Sequence, residues 1–193
     1  MTRLGTLLRQ VRRCEICAPH LPAGPRPILS AGETARILII GQAPGRRVHE
    51  SGIPWNDPSG ERLRDWLRVT HDEFYDHERI ALIPMGFCYP GTGASGDLPP
   101  RPECAETWHE QLLERMPEVR LSVLLSRYAH VRYLGKSGKA TVTATVRAWK
   151  QYRPRYLPLP HPSPRNNTWL KKNPWFAEEV LPYLRRRVRQ ALR

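Results

Sequence analysis

The run Ile37-Leu38-Ile39-Ile40, closed by Gly41, restricts the fold more than any other stretch. Consecutive aliphatic residues with no polar alternation form a strand covered on both faces. Such strands belong to parallel sheets flanked by helices. A Gly- and Pro-rich loop follows from Gly41 to Gly60, carrying an amide (Gln42), an imidazole (His49), an indole (Trp55) and a carboxylate (Asp57). Loops this long inside a compact domain are usually functional. Proteins of this architecture bind ligands outside the carboxyl ends of their strands.

Apolar runs at 80–83, 119–125 and 156–160 predict three more strands. Helical spacing of apolar residues predicts helices over 2–13, 61–69, 103–116, 128–134 and 139–149, and a last one starting near Pro174, a favoured first-turn residue. Stretches 18–32 and 89–102, rich in Pro and Gly, read as connections. The alternation indicates an α/β three-layer sandwich with a central four-stranded parallel sheet, in a single domain spanning 1–193. Loops leaving the first, second and fourth strands then converge at one edge of the sheet.

Charge narrows the partner. Lys and Arg number 31 against 18 Asp and Glu, a net +13. That excess favours a polyanion, and nucleic acid is the commonest. No apolar run approaches the roughly 18 residues of a membrane span. Arg3 and Arg9 near the start are not followed by a signal-type apolar core, so a cytoplasmic protein is expected. In that compartment Cys14 and Cys17 (a CxxC), Cys88 and Cys104 are reduced or bound to metal.

Two motifs now stand out: GQAPG…SGIPW, from Gly41 to Trp55, and HPSPRN, from His161 to Asn166. Their order and spacing resemble the uracil-DNA glycosylase superfamily over nearly the whole chain. The first is similar to the GEAPG…TGRPF of the family-four, iron–sulfur branch, and HPSPRN is similar to the motif of the single-strand-selective branch. The resemblance implies that fold and a monofunctional DNA glycosylase of base-excision repair. Such an enzyme flips a deaminated base, uracil first among them, out of single- or double-stranded DNA and hydrolyses its N-glycosidic bond. It implies a monomer, and a 4Fe–4S cluster on Cys14, Cys17, Cys88 and Cys104. Zinc would accept the same thiolates, and unligated cysteines are the remaining alternative.

The resemblance also distributes roles. Gly41, Gln42, Ala43, Pro44 and Gly45 form the base pocket, and Trp55 is its stacking aromatic. Ala43 stands where the most familiar branch has a catalytic Asp, so Asp57 in DPSG is the candidate carboxylate, with His49 as the second candidate. His161 donates a hydrogen bond to the departing base. Ser163, Pro164, Arg165 and Asn166 form the wedge that enters the duplex, and Lys171 and Lys172 continue onto the phosphates. Pro84 stands where many relatives have an Asn that reads the uracil edge, which leaves the excised base open. A second reading is a non-catalytic relative that binds DNA or nucleotides in the same pocket and keeps a structural metal cluster.

Overall fold

The computed structural model describes residues 2–94 and 96–193. In chain order the elements are α1 (Arg3–Arg12), β1 (Ile37–Ile40), α2 (Arg46–Ser51), α3 (Pro58–Leu67), α4 (His71–Tyr75) and β2 (Ile80–Leu82). A short antiparallel ribbon follows, β3 (Thr92–Gly93) and β4 (Gly96–Asp97). Then come α5 (Glu110–Glu114), β5 (Leu121–Leu125), α6 (Arg127–Leu134), α7 (Val142–Arg147), β6 (Tyr156–Leu159), α8 (Asn167–Lys172) and α9 (Leu181–Leu192). Wide π-type turns, Ala105–His109 and Phe176–Val180, lead into α5 and α9.

The main sheet is wholly parallel in the order β2-β1-β5-β6, with Ile39 opposite Leu82 on one side and Val123 on the other. The four residues of β1 are all buried because both faces are covered. Ile37 and Ile39 face a layer built on Leu63, Trp66, Phe74, Phe176 and Leu184, from α3, α4 and α9 with its lead-in turn. Leu38 and Ile40 face the opposite layer, built on Leu4, Leu7 and Val11 of α1 and Leu112 of α5. The expected three-layer α/β sandwich is therefore observed, and its sheet lays the carboxyl ends of all four strands along one edge. Among the described residues no helix is long and apolar enough to cross a membrane.

Several short elements differ from the sequence expectation, for physical reasons. The loop after β1 contains α2, which is N-capped by Gly45, C-capped by left-handed Gly52 (φ 73°) and has Val48 as its one buried residue. A single buried apolar residue leaves no periodicity to detect. Arg26 donates to the carbonyls of His49 and Glu50 and so completes the C-terminal end of α2 from outside. α4 is held by a Thr70–Glu73 capping box. The ribbon lies inside stretch 89–102, read as a loop, and α8 follows HPSPRN directly. The helix expected over 139–149 is confined to Val142–Arg147, and a tighter turn, Trp149–Tyr152, carries its end.

Buried histidines make this fold acid-sensitive. His109 is buried, with Nε2–H donating to the Pro84 carbonyl (3.0 Å), Nδ1 accepting from the Tyr133 hydroxyl (2.6 Å), and the ring stacked on Phe87. Burial pushes its pKa down from 6.5 to about 4, against the pull of the Pro84 carbonyl. Burial shifts His130 and His161 the same way. Between those limits the unfolded chain binds more protons than the folded one, so stability falls as pH drops from about 6.5 towards 4. The His109 contribution alone is roughly 3 kcal/mol. The urea midpoint is expected to fall steeply between pH 7 and 4.5, and His109→Gln is expected to be weaker at pH 7 but flatter across the range. A wild-type midpoint constant over that range would refute this account.

Candidate functional site

A cleft of about 460 Å³ opens at the carboxyl ends of β1, β2 and β6, where the loops after β1 and β6 meet Pro84 and the ribbon. The GQAPG segment is pinned to the chain after β2: the Met85 N–H donates to the Gly41 carbonyl (3.0 Å) and the Gly86 N–H to that of Gln42 (2.9 Å). All five residues of that motif line the cleft, with Trp55, Asp57 and His161.

Trp55 has a left-handed backbone (φ 59°), a conformation that a bulky residue holds only when its surroundings impose it. A Cβ on Gly41 would lie 2.8 Å from Cζ2 of the indole, and a Cβ on Gly60 would overlap the Trp55 carbonyl oxygen. The Tyr75 hydroxyl donates to the neighbouring Pro54 carbonyl (2.9 Å). So held, the indole stacks on the His161 ring, with centroids 5.6 Å apart and planes at 26°.

Asp57 is the N-cap of α3, with Oδ1 accepting from the Gly60 N–H (2.8 Å) and Pro58 in the first turn. One oxygen is thus committed to the helix while the carboxylate as a whole lines the cleft. Nδ1 of His161 accepts from the Ser163 N–H (3.2 Å), so the neutral ring carries its proton on Nε2. Burial lowers the His161 pKa, with Asp57 and Asp97 pulling it the other way. At neutral pH the ring is therefore an uncharged N–H donor. The Asn166 side-chain amide donates to the His161 carbonyl (2.7 Å), and the Arg165 N–H donates to Ser163 Oγ (3.2 Å).

Of the other sequence candidates, Ser163, Arg165 and Asn166 line the cleft. Pro164 is exposed beside them, and Lys171 and Lys172 are exposed on α8, outside the cleft. His49 is not brought to the cleft: it lies on α2 with its ring 5.8 Å from that of Tyr89, and its buried Nδ1 has no partner among the described residues. The structure adds Asp97, from β4, to the lining. Its Oδ2 lies 3.4 Å from where a Gly45 Cβ would be, and the Arg165 guanidinium packs onto neighbouring Gly96. No sequence motif marks Asp97, because it sits in a Gly-rich stretch whose two-residue strands have no apolar pattern.

The four cysteines come together elsewhere. Cys14 and Cys17 beyond the end of α1, Cys88 after β2 and Cys104 before α5 are free thiols around one small void, together with Arg101. Burial pushes Cys88 up to about 11 and Cys104 up to about 12, and the neighbouring thiols add to both. Cys17 is raised by burial and by Glu103. The Phe87 N–H points at Cys104 Sγ (3.4 Å). The void measures about 10 Å³, and among the described residues no group of three or more His, Cys, Asp or Glu is placed to hold a metal ion. Four convergent thiols suit a soft metal centre.

The fold and cleft define a class: a parallel α/β protein that gathers a carboxylate, a neutral imidazole and an aromatic face at the carboxyl edge of its sheet. Within that class, the chain belongs to the uracil DNA glycosylase superfamily, whose sequence profile matches residues 29–185. Cys14 and Cys17 precede the matched segment. A solution NMR structure from Methanosarcina acetivorans, described as a "putative Uracil DNA glycosylase", is similar with a TM-score of 0.46 and 18% identity, covering 81% of this chain and 97% of that one. The family assignment rests on the profile match.

The glycine contacts can be tested by stability alone. Gly60 lies within α3, where Ala is ordinarily favoured over Gly by about 1 kcal/mol. Gly60→Ala is expected instead to destabilise by about 1–3 kcal/mol in thermal unfolding, because the new methyl displaces the Trp55 carbonyl. Gly45→Ala, whose Cβ meets only an ordinary contact, is expected to be near neutral. A stabilised Gly60→Ala protein would refute the packing account.

Proposed function

We propose that the cleft excises a deaminated base, uracil first among the substrates, from DNA as a monofunctional glycosylase acting as a cytoplasmic monomer. The observation that supports this best is the placement of Asp57 and His161 in one cleft, from elements far apart in sequence, with the Ser163 N–H donating to His161 Nδ1. In this reading the C1′–N bond of the flipped nucleotide breaks with its electron pair going to the base. The base leaves as an anion stabilised by the His161 Nε2–H, and the sugar gains oxocarbenium character opposite the Asp57 carboxylate. Water adds to C1′, its proton is lost to Asp57 or solvent, and the base anion takes up a proton. Trp55, braced on Gly41, offers the flat surface beside the base. The net charge of +13 supports binding to a phosphate backbone. Ser163, Pro164, Arg165 and Asn166 form the wedge and the exposed Lys171 and Lys172 the phosphate contacts. Pro84 lines the cleft without an amide, and its carbonyl already accepts from His109. Base selection therefore has to come from other groups, and hypoxanthine and xanthine belong in the test.

Single-turnover excision on oligonucleotides carrying uracil, hypoxanthine or xanthine tests the roles. Asp57→Asn and His161→Ala are each expected to lose about 100- to 1000-fold in rate, with binding to undamaged DNA retained. His49→Ala is expected to stay near wild type, since His49 lies outside the cleft. Activity in Asp57→Asn with a dead His49→Ala would reverse the assignment. A wild type that excises none of these bases would favour the DNA- or nucleotide-binding reading.

For the four thiols we propose a structural 4Fe–4S cluster, with zinc as the competing occupant. Supporting it are the four-sulfur donor set and the Phe87 N–H directed at Cys104 Sγ. When bound, the group would tie the end of α1 to the segments after β2 and before α5. Protein purified without oxygen is expected to be brown. Cys14→Ala or Cys88→Ala is expected to bleach it and lower the unfolding temperature. A colourless protein free of both iron and zinc would overturn the proposal.

A further inference from the structure

We infer that Arg62 is a positioning residue that locks the two halves of the cleft together and sets the His161 tautomer. The inference deepens the glycosylase reading above and rests on it for its catalytic consequence. Arg62 lies on α3, the helix that Asp57 caps. Its guanidinium reaches across to the chain after β6, where Nη1 donates to the Ser163 carbonyl (3.1 Å) in the loop and Nη2 to Oδ1 of Asn167 (2.8 Å), the first residue of α8. The partners are more than 100 residues away in sequence, so this is a tertiary clamp and not a local helix contact.

Ser163 is the point that makes the clamp matter. Its N–H donates to His161 Nδ1 and thereby places the imidazole proton on Nε2. Its carbonyl accepts from the Asn166 N–H and from Arg62, and its hydroxyl accepts from the Arg165 N–H. Proline on both sides of Ser163 leaves the segment without neighbouring backbone donors, since neither Pro162 nor Pro164 has an N–H. With those two donors missing, side chains supplement the Asn166 N–H bond to the Ser163 carbonyl in shaping the loop. Arg62 is the one of these that comes from the helix carrying Asp57, so it fixes the carboxylate side of the cleft relative to the imidazole side. A planar fork can serve two acceptors at once with fixed geometry, whereas a lysine ammonium is a flexible point charge.

The test separates geometry from charge by comparing Arg62→Lys with Arg62→Ala. In the free protein, nitrogen-15 NMR of the His161 ring reports its tautomer. A single Nε2–H tautomer is expected for wild type, and a mixture with Nδ1–H for both variants. In single-turnover excision of uracil both variants are expected to be slower by roughly 10- to 100-fold. Binding of an oligonucleotide carrying 2′-fluoro-2′-deoxyuridine, whose fluorine blocks cleavage, is expected to change by less than about 3-fold for Arg62→Lys, because the charge is kept. An unaltered His161 tautomer in both variants would overturn the inference. So would an Arg62→Lys protein with wild-type rate and tautomer, which would reduce Arg62 to a charge. The NMR readout needs no substrate. A wild type without excision activity would therefore defeat the glycosylase reading while leaving the clamp itself tested.

Discussion

The close approach of Trp55 to Gly41 and Gly60 is the constraint on which the cleft depends. The indole can lie on the end of β1 only because Gly41 has no Cβ, and its carbonyl can pass the first turn of α3 only because Gly60 has none. These contacts fold the loop after β1 back on itself. That places Asp57 at the start of α3 with its cap satisfied, and sets the indole against His161. The strained φ of Trp55 is held by packing on both sides, as expected where rigidity serves a site.

Electrostatics act at two scales. Globally the chain is strongly basic, yet several arginines serve the fold: Arg26 closes the end of α2, Arg185 donates to the Trp66 carbonyl, and Arg187 donates to the carbonyls of Arg120 and Pro154. The cluster of arginines on α9 is therefore in part an internal tie and only in part a solvated surface. Locally the cleft carries Asp57 and Asp97 beside an imidazole that burial keeps neutral.

The thiol cluster is a separate structural problem. The CxxC beyond α1 reaches Cys88 and Cys104 only because α1 packs on the face of the sheet that also receives α5, through Leu4, Leu7, Val11 and Leu112. Burial holds the Cys88 and Cys104 thiols protonated at neutral pH.

The sequence by itself determined the sheet and the layers, and it pointed to most of the residues that line the cleft. Continuous aliphatic runs can be satisfied only by strands buried on both faces, and the glycine and proline motifs that follow two of them mark where the chain must turn at their carboxyl ends. GQAPG, Trp55, Asp57 and His161 were legible for that reason. Tertiary structure alone decided the rest. α2, α8 and the ribbon are too short for a periodic signal and are held by partners distant in sequence, such as Arg26. His49 shares a loop with Trp55, yet α2 turns it away from the cleft, while Asp97 enters the cleft on a ribbon without an apolar pattern. Arg62 reads as one more exposed helix residue until the fold sets α3 against the loop after β6. A hydrogen bond across a hundred residues leaves no trace in local composition, so only the packing of the layers could reveal it.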